Sequence, residues 1–473
     1  MNVDRRIIHV LVLVSALFLS LMAYLTYFEL FEKDKIMTNS YNRRQYEEEE
    51  KTLRGSIYDR NGTVLAKSEI REDKQERIYP YGSLYSHVIG YNSKKYGKSL
   101  IEAKFNAYLL GTNESSLVFN LKNKLTGSER EGNDLYLSID HELQALASKL
   151  MGNKKGSVVA LDPKTGEVLA MVSKPDFDPR EGKLAENWNN MVEDEEAPFL
   201  PRAIQGLYVP GSTYKVVVGA AAIENGLDSR IFEDKGAITV DGKKISNAGG
   251  KAYGKINLKT ALAVSSNAVF AQIGAELGED KLKDISDRFG VGKDIPFDLP
   301  VGQSSMQYKK MSKTDMAAVG IGQGKILVTP LHMALISAAV ANKGVMMRPF
   351  LVSRIVTPEG VVLKGPRPGE LYQVMSAETA SALKNMMCEV VEKGTGRNAA
   401  IKGIKVAGKT GTAENELTAR QKDKEHAWFI GFAPADDPQI AVAVILEYSG
   451  SSGGKSAAPI ARELMLSWIN RKK

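Results

Sequence analysis

Between Ile7 and Phe28 the chain carries no Asp, Glu, Lys or Arg. Those 22 residues would make a helix roughly 33 Å long, enough to cross the hydrocarbon core of a bilayer. In lipid every backbone polar group must be satisfied internally, so a lone segment of this kind can only be helical. Arg5 and Arg6 precede it directly, while Glu29, Glu32 and Asp34 follow among Lys33 and Lys35. The positive-inside bias therefore predicts a cytoplasmic tail over residues 1–6, a single-pass anchor over residues 7–28, and an extracytoplasmic remainder. A cleaved signal sequence competes with this reading. The run is long for one, and Ala23 has Leu21, not a small residue, two positions before it. Chemistry outside the membrane has no ATP, so a bond made there must draw on one already present in the substrate.

With 473 residues, 43% hydrophobic and 25% charged, the chain has the composition of a folded protein and the length of at least two domains. The net charge is +7, and the basic residues behind it are scattered, with pairs such as Arg43-Arg44. That pattern reads as solvated surface with a mild attraction to anionic membrane or wall polymers, not as a nucleic-acid groove. Cys388 is the only cysteine, which excludes an internal disulfide, and its helical setting suggests a small buried apolar residue.

Residues 29–150 read as a stalk. A polar, helical stretch with Glu47-Glu-Glu-Glu50 as a solvated face leads to Asn61-Gly62, a hairpin signal between Ile57-Tyr58 and Val64-Leu65. Residues 151–473 read as the larger domain. Ser157-Val-Val-Ala-Leu-Asp and Glu167-Val-Leu-Ala-Met-Val suggest two strands about the turn Pro163-Lys-Thr-Gly166. Helical stretches are expected to dominate from about 211 to 285 and again around 330 to 342. Strands are expected near Lys405, at 426–432 and at 440–447, with a last helix over 459–469. Strands at both ends of a helical middle imply an α+β fold whose first and last strands pair.

Three short motifs occur in order: Ser212-Thr-Tyr-Lys215, Ser265-Ser-Asn267 and Lys409-Thr-Gly-Thr412. Singly each is weak. Ser-x-x-Lys recurs at Ser381-Ala-Leu-Lys384 and Ser452-Gly-Gly-Lys455, Ser-x-Asn at Ser40-Tyr-Asn42, and Lys-Thr-Gly at Lys164-Thr-Gly166. Context separates them. Ser212 follows Pro210-Gly211 and precedes Val216-Val-Val-Gly-Ala-Ala, so it should open a helix, where free N–H groups favour developing negative charge. Lys215 would lie one turn on, on the same face. Ser381 sits between helical residues, and Ser452 is expected to lack a following helix. Lys164-Thr-Gly166 is a turn sequence, whereas Lys409 ends the extended run Ile404–Gly408. Ser265-Ser-Asn267 alone would be no more than a helix cap, and the presence of the other two motifs makes it part of a site.

Other catalytic arrangements fail. His9, His87, His141, His332 and His426 offer no metal-ligand spacing, and His141-Glu142 has Ala145 where a zinc protease needs histidine. There is no Gly-x-Ser-x-Gly elbow and no phosphate-binding loop.

With these motifs the chain resembles a class B penicillin-binding protein. Further segments carry the resemblance: Arg54-Gly-Ser-Ile-Tyr-Asp-Arg-Asn-Gly62, Leu135-Tyr-Leu-Ser-Ile-Asp140, Gly156-Ser-Val-Val-Ala-Leu-Asp-Pro163, Ile321-Gly-Gln-Gly324 and Trp428-Phe-Ile-Gly-Phe432. The resemblance implies a β-lactamase-like transpeptidase domain, an antiparallel sheet flanked by helices, on an N-terminal stalk. It implies a D,D-transpeptidase that cross-links peptidoglycan stem peptides, needs no cofactor or metal, and is acylated by β-lactam antibiotics. Ser212 would be the nucleophile and Lys215 its base, lowered in pKa by burial and by Lys409. Ser265 would relay a proton, and Asn267 would bind the donor peptide. The N–H groups of Ser212 and Thr412 would form an oxyanion hole, and Thr410, Gly411 and Thr412 would hold the substrate carboxylate. The stretch from Phe28 to Gly156 is too short for a glycosyltransferase domain, so a SEDS-type membrane glycosyltransferase is the expected partner. Three other outcomes remain open: a D,D-carboxypeptidase or β-lactamase-type hydrolase, for which Glu414 is the only nearby acid; a membrane β-lactam receptor; and a silent scaffold.

Overall fold

A computed structural model describes residues 3–28, 52–71, 74–113, 130–366, 368–414 and 424–471. The acidic stretch around Glu47 and the decoy at Ser40 lie outside them. Helix α1 (Val3–Tyr27) contains the apolar span Ile7–Tyr27, 21 residues of mean hydropathy 2.4 with exposed side chains. Among the described residues it is the one helix long and apolar enough to cross a membrane.

The stalk strands are β1 (Ile57–Tyr58), β2 (Val64–Arg71), β3 (Lys74–Ile78) and β4 (Asp134–Leu137). β1 and β2 form the hairpin expected at Asn61-Gly62, with Tyr58 opposite Val64 and Gly62 at φ +89°. The sheet does not end with the stalk. Val352–Val356 pairs with β4 and Val362–Lys364 continues it, giving six strands drawn from both sides of residue 150. Helix α2 (His141–Met151) is capped by Asp140 and buries Leu143, Ala147 and Met151 in the same apolar cluster as Val158 and Ala160.

After residue 150 come β5 (Gly156–Leu161) and β6 (Val168–Lys174), antiparallel as expected. A single 3₁₀ turn, Gly211–Tyr214, runs into α3 (Lys215–Glu224). The next stretch departs from the mainly helical reading of 211–285. It forms two strand pairs, β7 (Ile231–Asp234) with β10 (Gly254–Asn257), and β8 (Ala237–Val240) with β9 (Lys243–Ser246). Asp241 (φ +45°) and Gly242 (φ +79°) make a two-residue turn with both residues left-handed, the geometry Asp-Gly favours in a hairpin. Helix α4 (Asn267–Arg288) follows, then α5 (Pro330–Ala341) and α6 (Ala377–Glu392). Cys388 is buried on α6, and burial pushes its thiol up to about 11.

Strands β11 (Ala407–Ala413), β12 (His426–Ala433) and β13 (Ile440–Leu446) complete a five-stranded antiparallel sheet in the order β6-β5-β13-β12-β11. The chain's first and last strands of this domain therefore pair, as expected. Both faces are buried, so β12 and β13 read as long apolar runs. Alternate residues still part company. Val159, Ala443 and Ile430 join the cluster that contains α5, and Val158, Val442 and Phe429 join the cluster beneath α7 (Gly453–Arg471). Helix α7 starts six residues before the expected 459. Gly453 and Gly454 belong to it because a Cβ at either would meet backbone carbonyls, of Trp428 at 2.0 Å and of Thr395 at 2.3 Å.

The stalk is held by one buried charge cluster. Glu102, fully buried, accepts from Arg54 Nε and Arg77 Nε at 2.7 Å each. Burial alone would raise its carboxyl, but the two guanidiniums outweigh that and hold it at about 2. Glu102→Ala leaves two buried cations uncompensated and should cost about 3–5 kcal/mol. Hydrogen exchange in β2, read by mass spectrometry on the full-length protein, should speed up relative to β13; unchanged protection would contradict the role given to the cluster. The carboxyl titrates lower folded than unfolded, so its contribution is whole above its unfolded value and fades as pH falls through about 2.

Candidate active site

The three motifs meet at the sheet edge. β11 is an edge strand, and Lys409–Thr412 lies within it. Gly211 and Gly411 allow the Ser212 turn to close on that edge. A Cβ on Gly211 would stand 2.7 Å from Thr412 O, and one on Gly411 would stand 3.0 Å from Thr213 Cγ2 and 3.2 Å from Pro210 O. From the other side Gly322 O accepts from Gly211 N at 2.9 Å. Trp428 Nε1 donates to Val209 O at 3.2 Å, and Tyr208 and Val328 exchange both backbone hydrogen bonds. Ser212 is thus the half-buried second residue of a turn clamped on two sides.

Lys215 and Lys409 are both fully buried and both reach Ser265. Lys409 Nζ donates to Ser265 Oγ at 2.9 Å and to Thr410 O at 2.8 Å. Lys215 Nζ donates to Asn267 Oδ1 at 2.7 Å and Ser265 O at 2.9 Å, with Ser265 Oγ farther off at 3.4 Å. Ser265 has φ +59°, a left-handed backbone that costs a residue with a Cβ about 1 kcal/mol. The bend turns its carbonyl and hydroxyl to the same lysine. Ser266 is the helix cap, accepting from Val269 N.

Burial first, and then the charge of Lys409, pull Lys215 well below the usual lysine value, and Asp234 pulls weakly the other way. Burial takes Lys409 down to about 7. Two N–H groups of a neutral Lys215 amine suffice for the two short contacts, which leaves its lone pair free. No hydrogen bond joins that nitrogen to Ser212 Oγ in this structure. Thr410 also differs from expectation in its partner, because its hydroxyl shares a 2.6 Å hydrogen bond with Thr395 Oγ1. A cleft of about 320 Å³ lies alongside, lined by residues flanking the motifs, among them Tyr208, Val209, Gln323 and Glu414.

The decoys fall away on geometry. Ser381 and Lys384 lie inside α6. Ser452 does precede a helix, contrary to expectation, but it and Lys455 are both exposed, in contrast to wholly buried Lys215. Lys164 lies in its turn and pairs with Asp437 at 2.6 Å.

Comparison with known proteins agrees with this geometry. The profile described as penicillin binding protein transpeptidase domain matches residues 156–466, and one described as penicillin binding protein A dimerisation domain matches residues 54–135. The chain belongs to the class B penicillin-binding protein family. It is 33% identical over 489 residues to the peptidoglycan D,D-transpeptidase PbpA of Mycolicibacterium smegmatis, covering 98% of each chain. The structure of penicillin-binding protein A from Mycobacterium tuberculosis as a ceftriaxone acyl-enzyme superposes with a TM-score of 0.85, 30% identity, and coverage of 89% and 99%. A D,D-transpeptidase domain from Eggerthella lenta gives 0.80 at 34% identity, with the same coverage.

Sequence reasoning missed the residues behind the Ser265 turn. Asp234 and Asn247, buried to 1% and 4% exposure, hold it from β7 and from the end of β9. The Asp241-Gly242 turn signal could have revealed the strands. Nothing local marks the two residues themselves. Gly322→Ala offers a test of the clamp on Ser212, since its Cβ would lie 2.0 Å from Gly211 O at φ +73°. Labelling by a fluorescent penicillin should slow by about tenfold or more, on the basis of ordinary overpacking costs; wild-type labelling would show the clamp to be dispensable.

Proposed function

We propose that this chain is a serine-type peptidoglycan D,D-transpeptidase that is inhibited by β-lactams. The observation that carries the reading is the Ser265 hydroxyl held between Lys215 and Lys409 beside the Ser212 turn, in a chain of this family. Ser212 Oγ attacks the carbonyl carbon of a D-Ala-D-Ala peptide bond and its proton passes to neutral Lys215. The tetrahedral oxyanion is met by the N–H groups of Ser212 and Thr412, a type of contact worth roughly 3 kcal/mol each. Ser265 passes a proton to the departing amine of D-Ala, and the rest of the stem stays as an ester on Ser212. An amine of a neighbouring stem then takes the acyl group, so the broken peptide bond drives the new one without ATP.

Asn267 binds the donor backbone, while Thr410, Gly411 and Thr412 receive its terminal carboxylate, for which the Thr410 hydroxyl must release Thr395. Residues 7–28 anchor the enzyme. Arg5 and Arg6 favour a cytoplasmic N-terminus, with a stalk over residues 29–150 and the transpeptidase domain over 151–473 outside. A SEDS-type membrane glycosyltransferase would supply the strands to be linked.

Mass-spectrometric mapping should place a long-lived penicillin adduct on the peptide containing Ser212, and Ser212→Ala should abolish it. An adduct elsewhere, or rapid turnover of the penicillin, would refute the reading. Acylation requires neutral Lys215, so its rate should rise with pH and level off well below the ordinary lysine value of 10.5. Lys409→Gln removes the nearby positive charge, which eases protonation of Lys215. The acid limb of the rate profile should therefore move to higher pH.

A further inference from the structure

We propose that Asp234 and Asn247 are positioning residues for the reaction, holding the Ser265-Ser266-Asn267 turn against Lys215 from a hairpin insert. The proposal rests on the site reading above and extends it to residues that contact none of the reacting atoms.

The first turn of a helix leaves its N–H groups without partners. At α4 these groups are met by two side chains. Ser266 Oγ accepts from Val269 N at 3.1 Å, and Asn247 Oδ1 accepts from Asn267 N at 2.8 Å and Ala268 N at 3.0 Å. The Asn247 amide cannot turn over, because its Nδ2 donates to both Asp234 oxygens at 2.9 Å and to Lys251 O at 2.8 Å. Asp234 in turn accepts from Ser266 Oγ at 2.6 Å and from Gly236 N at 2.8 Å. One connected network therefore fixes Ser266 and the backbone of Asn267, the two residues that follow Ser265.

The insert is itself anchored. Ser246 O accepts from Asn267 Nδ2 at 2.9 Å, which leaves Asn267 Oδ1 to face Lys215. Val240 and Ile245 pack with Ala271 and Ala317, joining the β8–β9 hairpin to α4 and to the helix beside it. Asp234 makes no ion pair among the described residues, although it is a buried carboxylate. Hydrogen-bond donors and the positive end of α4 take the place of a cation.

That leaves its charge to act on Lys215. The charges bearing on Lys215 are Lys409 from β11 and Asp234 from the insert. α4 contributes the uncharged Asn267 and the ring of Phe270, with Lys215 Nζ 5.4 Å from its centroid, and α6 meets α3 through Leu383 at Gly219. Asp234 thus opposes burial and Lys409 at Lys215 and makes its neutral form less favoured than they alone would.

The test uses full-length protein in detergent. The rate of Ser212 acylation by a fluorescent penicillin is followed against pH, with thermal melting as the folding control. Asn247→Leu strands two buried N–H groups and should slow acylation about tenfold to a hundredfold. Asp234→Asn keeps the shape and the two hydrogen bonds accepted by Oδ1 but removes the charge and the acceptor at Oδ2. It should still give a folded melting transition and acylate about threefold to tenfold more slowly at the optimum, because Asn247 and Ser266 lose the acceptor they share. Its acid limb should move to lower pH, because loss of a negative charge disfavours protonated Lys215. An unmoved acid limb in folded Asp234→Asn, or wild-type acylation by Asn247→Leu, overturns the proposal. A wild-type protein that carries no adduct on Ser212 overturns instead the site reading on which it rests.

Discussion

Two lysines buried around one hydroxyl cannot both stay charged at little cost. Lys215 and Lys409 have no exposed surface, and each reaches Ser265 Oγ, at 3.4 and 2.9 Å. Desolvation disfavours both ammonium forms, and each charge disfavours the other. The arrangement therefore supplies a neutral amine at a pH where a free lysine would be almost wholly protonated. Much of the surrounding architecture is what it takes to keep these groups buried and close. The cost falls on stability, because the unfolded chain regains full hydration of both cations.

The five-stranded sheet meets that requirement by offering a buried edge. Lys409 projects from β11 where the sheet ends, and glycines at 211 and 411 let the Ser212 turn come within van der Waals reach of it. The opposite wall is the N-terminus of α4, fixed by the insert through Asn247 and Asp234. Farther out, Val352–Val356 extends the stalk sheet through β4, so the two lobes of the chain share hydrogen bonds and not merely a contact. At the same junction Arg471, in the last turn of α7, pairs with Asp140 at 2.7 Å, and Asn61 of the stalk hairpin donates to that carboxylate at 3.1 Å.

What can be read in advance follows a physical divide. Strands β5, β6, β12 and β13 are legible because burial on both faces leaves long apolar runs, rich in Val and Ala in β5, β6 and β13 and in Phe and Trp in β12, and α1 because its apolar run is long and uncharged. The insert reads as helix because its strands are only four residues each and alternate with charged positions such as Glu233 and Lys244. The Asp241-Gly242 turn is the signal to weigh against helix. The start of α7 escapes notice because Gly453 and Gly454 are poor helix formers, and close approach to Trp428 and Thr395 overrides that propensity. Thr410 reads as a free hydroxyl in the motif, and only packing against Thr395 gives it a partner.

The sequence by itself determined an apolar helix long enough to span a membrane, the α+β fold class and the three motifs with the chemistry their residue types allow. Those features are local, set by runs and spacings within a few residues. Tertiary structure alone decided that Lys215 and Lys409, 194 residues apart, share one hydroxyl, and that Asp234 and Asn247 stand behind it. The reason is that a pKa, a clamped turn and a satisfied helix end depend on desolvation and on partners from distant strands. No window of the sequence contains both members of such a pair.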